Sequence, residues 1–488
     1  MKKAIYLTLL IGLWPAFVAF RPLYNPPRPT PPNVVLIFMD DLGFGDLGCY
    51  GATGYQTPHL DRLASEGIRF TNFLSAQPVC TASRAALLTG CYPNRIGLYG
   101  ALFPGSKIGI NSEETTLAEL LKSQGYATAI FGKWHLGDQR PFLPLNHGFD
   151  EYVGLPYSND MWPVDYDGKP VSATSSPKAR FTDLPLLRGK GDTLRLIRTL
   201  DDQAELTGLL TMQAVDFIKR NRKKPFFLYL AHPMPHVPIA ASARFRGRTE
   251  RGLFGDVITE IDHSVGEVLA ALKANKLDKN TLVVFTSDNG PWYNFGNHAG
   301  STSGLREGKG TTYEGGNRIP CLVRWPGVIP AGLVCNALAS TIDLLPTIAG
   351  RCGAPLPSRK LDGVDLWPLW QGDLTASPRK EFYYYYRKNN LEAVRRGNWK
   401  LVLPHPGRTY GAFPVGQNGF PGKTNENNPE TLALYDLSRD PGERYDLKDQ
   451  FPERVAELQQ IATAARLDLG DDLTAQKGAN TRPAGELP

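Results

Sequence analysis

Cysteine is scarce in this chain, and its scarcity excludes several readings at once. Cys49, Cys80, Cys91, Cys321, Cys335 and Cys352 are spread over 488 residues, too few and too dispersed for a disulfide scaffold. No closely spaced Cys/His set of the kind that holds zinc is present. Charge of one sign is equally thin. The net charge is +6, with no Lys/Arg-rich block and no RNA-binding signature, so nothing points to a nucleic-acid partner. There is no internal repeat, and past the N-terminus no run is apolar enough to span a membrane. What remains, 42% hydrophobic and 21% charged residues, is the make-up of an ordinary globular protein. The length exceeds the roughly 250–300 residues at which one core stops growing, so two domains are expected.

The one long apolar run is Ala4–Phe20, preceded by Lys2 and Lys3 and followed by the Pro-rich stretch Arg21–Pro32. Residues 1–20 therefore read as a signal peptide and residues 21–32 as a linker, giving a periplasmic or secreted protein. The competing reading is an uncleaved anchor, but the run is short for a bilayer span and Pro15 interrupts it.

Beyond the linker, apolar runs alternate with amphipathic ones. Asn33–Met39, Tyr126–Phe131, Pro225–Leu230 and Thr281–Thr286 read as buried strands. Thr57–Gly67, Thr115–Gly125, Asp201–Asn221 and Phe254–Lys273 read as helices. This alternation predicts an α/β fold, a mostly parallel sheet between helices, over residues 33–375. Residues 376–470 predict a smaller α+β domain with strands at Glu381–Tyr386, Trp399–Leu403 and Leu432–Leu437 and a helix over Pro452–Leu467. Asp165–Leu200 reads as a long loop and residues 471–488 as a mobile polar tail.

In an open parallel sheet, ligands bind beyond the carboxyl ends of the strands. The four predicted strands run into Asp40-Asp41, into Lys133-Trp134-His135, towards His232 and His236, and into Asp288-Asn289-Gly290. Each alone suits an ordinary turn, but four at equivalent topological positions point to one site. Asp40, Asp41, Asp288 and Asn289 offer hard oxygen ligands, which suit Ca²⁺ or Mg²⁺. Cys80 opens the helical run that contains Arg84 one turn later, so a helix N-terminus and a guanidinium would face an anion there. Taken by itself, Cys80 is a nucleophilic thiolate whose pKa these groups lower, or simply a buried core cysteine.

The run Pro78-Val79-Cys80-Thr81-Ala82-Ser83-Arg84 resembles the signature of the sulfatases, in which the cysteine is converted to formylglycine. Asp40-Asp41-Leu42-Gly43, Gly132-Lys133-Trp134-His135-Leu136-Gly137, Ser287-Asp288-Asn289-Gly290 and Gly308–Gly316 resemble further blocks of that family, in order. Within it the chain is most similar to the arylsulfatase A and N-acetylgalactosamine-6-sulfatase types. Ala82 stands where most members have Pro, a variant that also occurs in phosphonate monoester hydrolases of the same fold.

The resemblance implies an alkaline-phosphatase-like fold and the hydrolysis of sulfate monoesters, of a carbohydrate or aryl substrate, through a sulfated formylglycine at position 80. It implies one Ca²⁺ held by Asp40, Asp41, Cys80, Asp288 and Asn289, and a maturation enzyme that acts on Cys80. Lys133 and Lys309 are expected on the sulfate oxygens, Arg84 beside residue 80, His135 as base and His236 as proton donor, with His232 the lesser choice. Asn159, Asp160 and His298, with Tyr157, are candidate substrate contacts from loops that follow the matched blocks. Tyr383–Tyr386 reads as a packing strand and not a sugar platform. The rival readings are a phosphodiesterase or phosphonate hydrolase built on the same site, and a non-catalytic binder of sulfated glycans.

Overall fold

The apolar runs owe their continuity to burial on both faces. In the computed structural model, which describes residue 1 and residues 31–172 and 176–487, Val35, Ile37 and Met39 enter one core cluster while Val34, Leu36 and Phe38 enter another. The strands, in chain order, are β1 (Asn33–Met39), β2 (Ile68–Leu74), β3 (Ile108–Gly109), β4 (Ala127–Gly132), β5 (Glu151–Gly154), β6 (Leu184–Arg188), β7 (Asp192–Ile197), β8 (Phe226–Ala231), β9 (Thr281–Ser287), β10 (Arg318–Arg324), β11 (Leu333–Cys335) and β12 (Ala339–Ser340). All but β3 join one sheet ordered β11-β2-β10-β9-β1-β8-β4-β5-β6-β7, with β12 beside β2. The centre, β9-β1-β8-β4-β5, is parallel, and β10 and β6 turn antiparallel on either side.

Helices cover both faces. The helices α1 (Pro58–Ser65), α5 (Leu206–Arg220) and α6 (Leu253–Ala274) pack on one. On the other lie α2 (Cys80–Thr89), α3 (Leu117–Ser123) and the helix Leu344–Arg351. Local chemistry sets several boundaries. Pro58 starts α1, and Thr116 with Glu119 forms a reciprocal capping box at α3. The helix expected over Asp201–Asn221 is in fact two, because a short α4 (Leu200–Ala204), opened by the Thr199–Asp202 capping box, is interrupted at Glu205 before α5 begins.

Two further expectations are corrected. Part of the segment Asp165–Leu200 is not loop, since β6 and β7 form a hairpin that extends the sheet beyond β5. Pro185 breaks its strand signal, and β7 faces solvent at the sheet edge, where no buried periodicity is needed. The polar tail is also tied down. Gly485 and Glu486 pair with β3, and the Arg482 guanidinium donates to both carboxylate oxygens of Glu114 at 2.6 and 2.8 Å.

After residue 376 come β13 (Glu381–Tyr386), β14 (Asn390–Arg396), β15 (Trp399–Val402), β16 (His405–Thr409), β17 (Asn425–Glu430) and β18 (Ala433–Asp436). Four of them form the antiparallel sheet β13-β14-β15-β18, covered by the helix Pro452–Leu469. Tyr384 and Tyr385 are fully buried within it. Residues 31–487 form one compact unit. Apart from residue 1 and Pro31–Pro32, the expected signal and linker lie outside the described residues. Among the described residues, no helix is long and apolar enough to cross a membrane.

Candidate active site

Strand register brings the chemistry to one edge. Met39 lies beside Ser287, and Ala231 lies beside both Phe38 and Gly132, so the four central strands end together. Residues immediately beyond those ends must share a small space. Gly132 is required there, since a Cβ on it would sit 1.7 Å from the Ala231 carbonyl oxygen. Asp41 and His135 both hold left-handed backbone, φ 63° and 62°, a conformation costing non-glycine residues on the order of 1–3 kcal/mol and concentrated at functional sites.

Cys80 is the first residue of α2, and its Sγ donates to Asp40 Oδ1 at 3.5 Å. Arg84, one turn along and fully buried, donates to Asp288 Oδ2 at 2.8 Å and to the Lys133 carbonyl at 3.2 Å. Lys133 Nζ donates to Asp40 Oδ2 at 2.6 Å and to Ser158 Oγ at 3.1 Å. Lys309 Nζ lies 2.7 and 2.9 Å from the two oxygens of Asp41, with the Trp292 ring 4.5 Å away. Asn289 Nδ2 donates to Asp41 Oδ1 at 2.7 Å. One ligand-type atom from each of Asp40, Asp41, Cys80 and His236 falls within 4.8 Å of the others.

The electrostatics of this cluster are strained. Burial favours a neutral Asp40, but Lys133 and then Arg84 outweigh it and hold the carboxyl well below its ordinary range. Asp288 is pushed up to about 7 by burial and then by the charge on Asp40. Burial also raises Asp41 in spite of Lys309. The side-chain oxygen of Asn289 is buried with no hydrogen-bond partner among the described residues. An oxygen-ligated cation would satisfy that orphaned oxygen and offset the crowded carboxylates, so the residues fit such an ion. The expectation of a lowered thiol pKa is corrected, because burial pushes the Cys80 thiol up, and it stays protonated.

The histidines divide. His236 Nδ1 lies 2.6 Å from the Val237 carbonyl, which only accepts, so this nitrogen carries a proton. Its Nε2 faces Ser158 Oγ at 3.3 Å and Asp41 Oδ2 at 3.7 Å. By the same logic His135 Nε2 donates to the Leu102 carbonyl at 2.9 Å, which leaves a buried Nδ1 lone pair with no partner among the described residues. His232 turns to the opposite layer and meets Ser264 of α6 at 2.9 Å, away from the cluster.

Of the loop candidates, Asn159 is fully buried behind His236. Its Nδ2 lies within hydrogen-bond reach of Gln203 Oε1 and the carbonyls of His236 and Pro238 at 2.9, 3.2 and 3.3 Å, so it braces the His236 loop. Asp160 has its electrostatic influence on Tyr166 and Lys178, and His298 packs beside Gly419 and Arg251. Neither hydrogen-bonds to the cluster among the described residues. The sequence reading missed Ser158, which bridges Lys133 and His236, and Trp292, whose ring lies 5.5 Å from His236. Ser158 adjoins two residues singled out from the sequence, and Trp292 follows Asp288-Asn289-Gly290-Pro291, so adjacency was the available signal.

A family model described as Sulfatase matches residues 32–354, and one described as the C-terminal region of aryl-sulfatase matches residues 377–485. Arylsulfatase A of Bos taurus is 41% identical over 479 residues, covering 94% of this chain and 92% of the relative. N-acetylgalactosamine-6-sulfatase of Canis lupus familiaris is 40% identical over 454 residues, covering 89% and 85%. A crystal structure of a sulfatase from Pseudoalteromonas sp. superposes with a TM-score of 0.80 at 31% identity, covering 89% of each chain.

Proposed function

The chain belongs to the sulfatase family and is an arylsulfatase-like hydrolase, and from that premise we propose that it cleaves sulfate monoesters of a carbohydrate or aryl alcohol with Cys80, converted to formylglycine, as the reacting residue. The observation that carries this reading is the place of Cys80. It opens α2, almost wholly buried, with Asp40, Asp41, His236, Lys133 and Lys309 around it and Arg84 one turn along the helix. A buried, protonated thiol is a poor nucleophile, so the position makes chemical sense for a residue that is altered before use. A formylglycine at position 80 supplies, when hydrated, one hydroxyl to attack sulfur and a second to help expel sulfate. Asp40, Asp41, Asp288 and Asn289, joined by residue 80, would hold Ca²⁺, which draws negative charge from the sulfate oxygens.

The remaining groups handle the anion and its protons. Lys133 and Lys309 stand on either side of the Asp40–Asp41 pair and can hold the sulfate oxygens as charge redistributes. Arg84 keeps its position through Asp288 and stays charged. His236, whose Nδ1 already donates to Val237, takes up a second proton at Nε2 from solvent when the anionic ester binds, and delivers that proton to the leaving oxygen. Burial and then Lys309 depress the pKa of this ring, and an anionic ester beside it offsets Lys309. His135, held neutral by burial, accepts a proton at its free Nδ1 from the second hydroxyl of residue 80. Residues 33–375 carry this chemistry and residues 376–470 complete the fold around it, while residues 1–20 direct export.

The test is peptide mass spectrometry across Cys80 on protein whose turnover has been measured with matched sulfate monoesters and phosphate diesters. An aldehyde at position 80 and faster sulfate ester cleavage are expected, with Cys80→Ala inactive. Sustained turnover by protein whose residue 80 is an unmodified thiol, or faster cleavage of the phosphate diester, refutes the assignment.

A further inference from the structure

Four stretches of chain line a cavity of about 590 Å³, a size usual for a small-molecule site. Its walls include Phe103, Asp138, Tyr157, Arg180 and Phe181. Three of these are chain neighbours of catalytic contacts. Phe103 follows Leu102, whose carbonyl holds His135. Tyr157 precedes Ser158, the bridge between Lys133 and His236. Asp138 lies three residues after His135. Chain adjacency therefore keeps the cavity close to His135 and to the Ser158 hydroxyl that bridges Lys133 and His236.

Its chemistry is mixed in an informative way. Phe103 is 52% exposed, an unusual state for a large aromatic side chain, and its ring lies parallel to that of Phe181 at 6.4 Å, interplanar angle 11°. The Arg180 guanidinium is 5.1 Å from the Phe103 ring and 5.0 Å from the Phe181 ring. Among the described residues no carboxylate pairs with Arg180, so these rings fix its position while its charge stays available. Asp138 accepts from the Gly105 amide at 2.7 Å through one oxygen and from Gln139 Nε2 at 3.2 Å through the other, and each carboxylate oxygen keeps a second lone pair for a ligand hydroxyl. A flat ring with an apolar face, hydroxyls and an anionic substituent satisfies all three features together. An unsubstituted aryl group would use the aromatic walls alone.

We propose that this cavity is a subsite for a pyranose ring bearing an anionic group, a carboxylate or a second sulfate, so that the preferred substrate is an acidic glycan. This rests on the sulfatase reading given above. In it Arg180 pairs with the anionic substituent, Asp138 accepts from ring hydroxyls, and Phe103 and Phe181 cover the C–H face.

The experiment compares kcat/KM on a sulfated disaccharide with a uronate, a disulfated disaccharide, the uronate substrate reduced to its alcohol, and 4-nitrophenyl sulfate. Wild-type protein and the Arg180→Gln and Phe103→Ala variants are used, each with formylglycine verified by mass. A charge-assisted hydrogen bond is worth about 10- to 100-fold, so the wild type should prefer an acidic disaccharide over the alcohol by that factor. In Arg180→Gln the preference should fall to roughly threefold or less, and Phe103→Ala should raise KM for both disaccharide types. Whether the carboxylate or the second sulfate gives the larger factor identifies the anionic group. Equal rates on acid and alcohol, or a preference that survives Arg180→Gln, overturns the subsite while hydrolysis of 4-nitrophenyl sulfate leaves the sulfatase reading intact. Verified protein that cleaves none of the four overturns both.

Discussion

Glu314 lies five residues after Lys309, and its replacement by Gln isolates the charge that joins the antiparallel sheet to the large mixed sheet. Its carboxylate is fully buried and faces Arg318 at 2.6 Å, Lys400 at 3.3 Å and Arg395 at 3.5 Å, and it accepts from Tyr384 Oη at 2.7 Å. Glu443 shares the load, 2.6 Å from Lys400 and accepting from the Glu314 amide at 2.7 Å. Glu314→Gln preserves the shape and an acceptor for Tyr384 but removes the charge that Arg318, Arg395 and Lys400 face, with Glu443 left to pair Lys400. Removing one partner of such a buried set costs about 3–5 kcal/mol, whereas Tyr384→Phe removes one hydrogen bond to a charged group, about 1.5–3 kcal/mol. Urea denaturation at pH 7 should therefore rank wild type, Tyr384→Phe and Glu314→Gln in falling midpoint. The acid dependence has a definite sign. Burial opposes the charge, but Arg318 and then Lys400 hold the Glu314 carboxyl well below its ordinary range. Its contribution is then complete above the unfolded value near ~4.3 and shrinks as pH falls below it. The gap between wild type and Glu314→Gln should narrow from pH 6 to pH 3. A Glu314→Gln midpoint equal to wild type, or a gap that widens on acidification, would refute the reasoning.

Further expectations concern the site. His236→Ala should slow desulfation of sugar sulfates by ~10²–10⁴-fold in single-turnover measurements, and nitrophenyl sulfate far less, because nitrophenolate leaves without a proton; equal losses would remove His236 from the acid role. Asp41→Ala or Asp288→Ala should abolish both bound metal and activity, and elemental analysis of active protein should find one Ca²⁺ per chain, stoichiometric zinc being the contrary result. Asn159→Ala strands the carbonyls of His236 and Pro238 and should lower kcat on sugar sulfates with little change in KM, at a stability cost of about 1–3 kcal/mol; a change in KM alone would make Asn159 a substrate contact instead.

Much of the sheet was legible because its central strands are buried on both faces, and such strands must be written as unbroken apolar runs. Asn33–Met39 is the plainest case, with its boundaries set by the abrupt change to Asp40-Asp41. The same contrast exposed Lys133 and Asp288, while Cys80 and Arg84 were marked by the opening of a helical run one turn apart. Other features leave no such mark. Ser158 matters because two distant side chains meet at its hydroxyl, and Asn159 because three acceptors converge on one amide, pairings that only the assembled fold creates. The left-handed backbone at Asp41 and His135 falls on residues that do not advertise it, as a glycine would. Edge strand β7 and the tail pairing with β3 need little hydrophobic periodicity, so their sequences read as loop.

The position of β1 at the middle of the sheet has a consequence in time. Its partners β8 and β9 come much later in the chain, and Arg84 is 204 residues from the Asp288 carboxylate that fixes it. At ~5–20 residues per second of synthesis, the turn carrying Cys80 exists for ~10–40 s before the groups that seal it have been made. During that interval the segment has no finished sheet to dock on. Any catalyst that must handle the Cys80 thiol thus works against a clock set by strand order, and an insertion between β4 and β9 would lengthen the opportunity without touching the site.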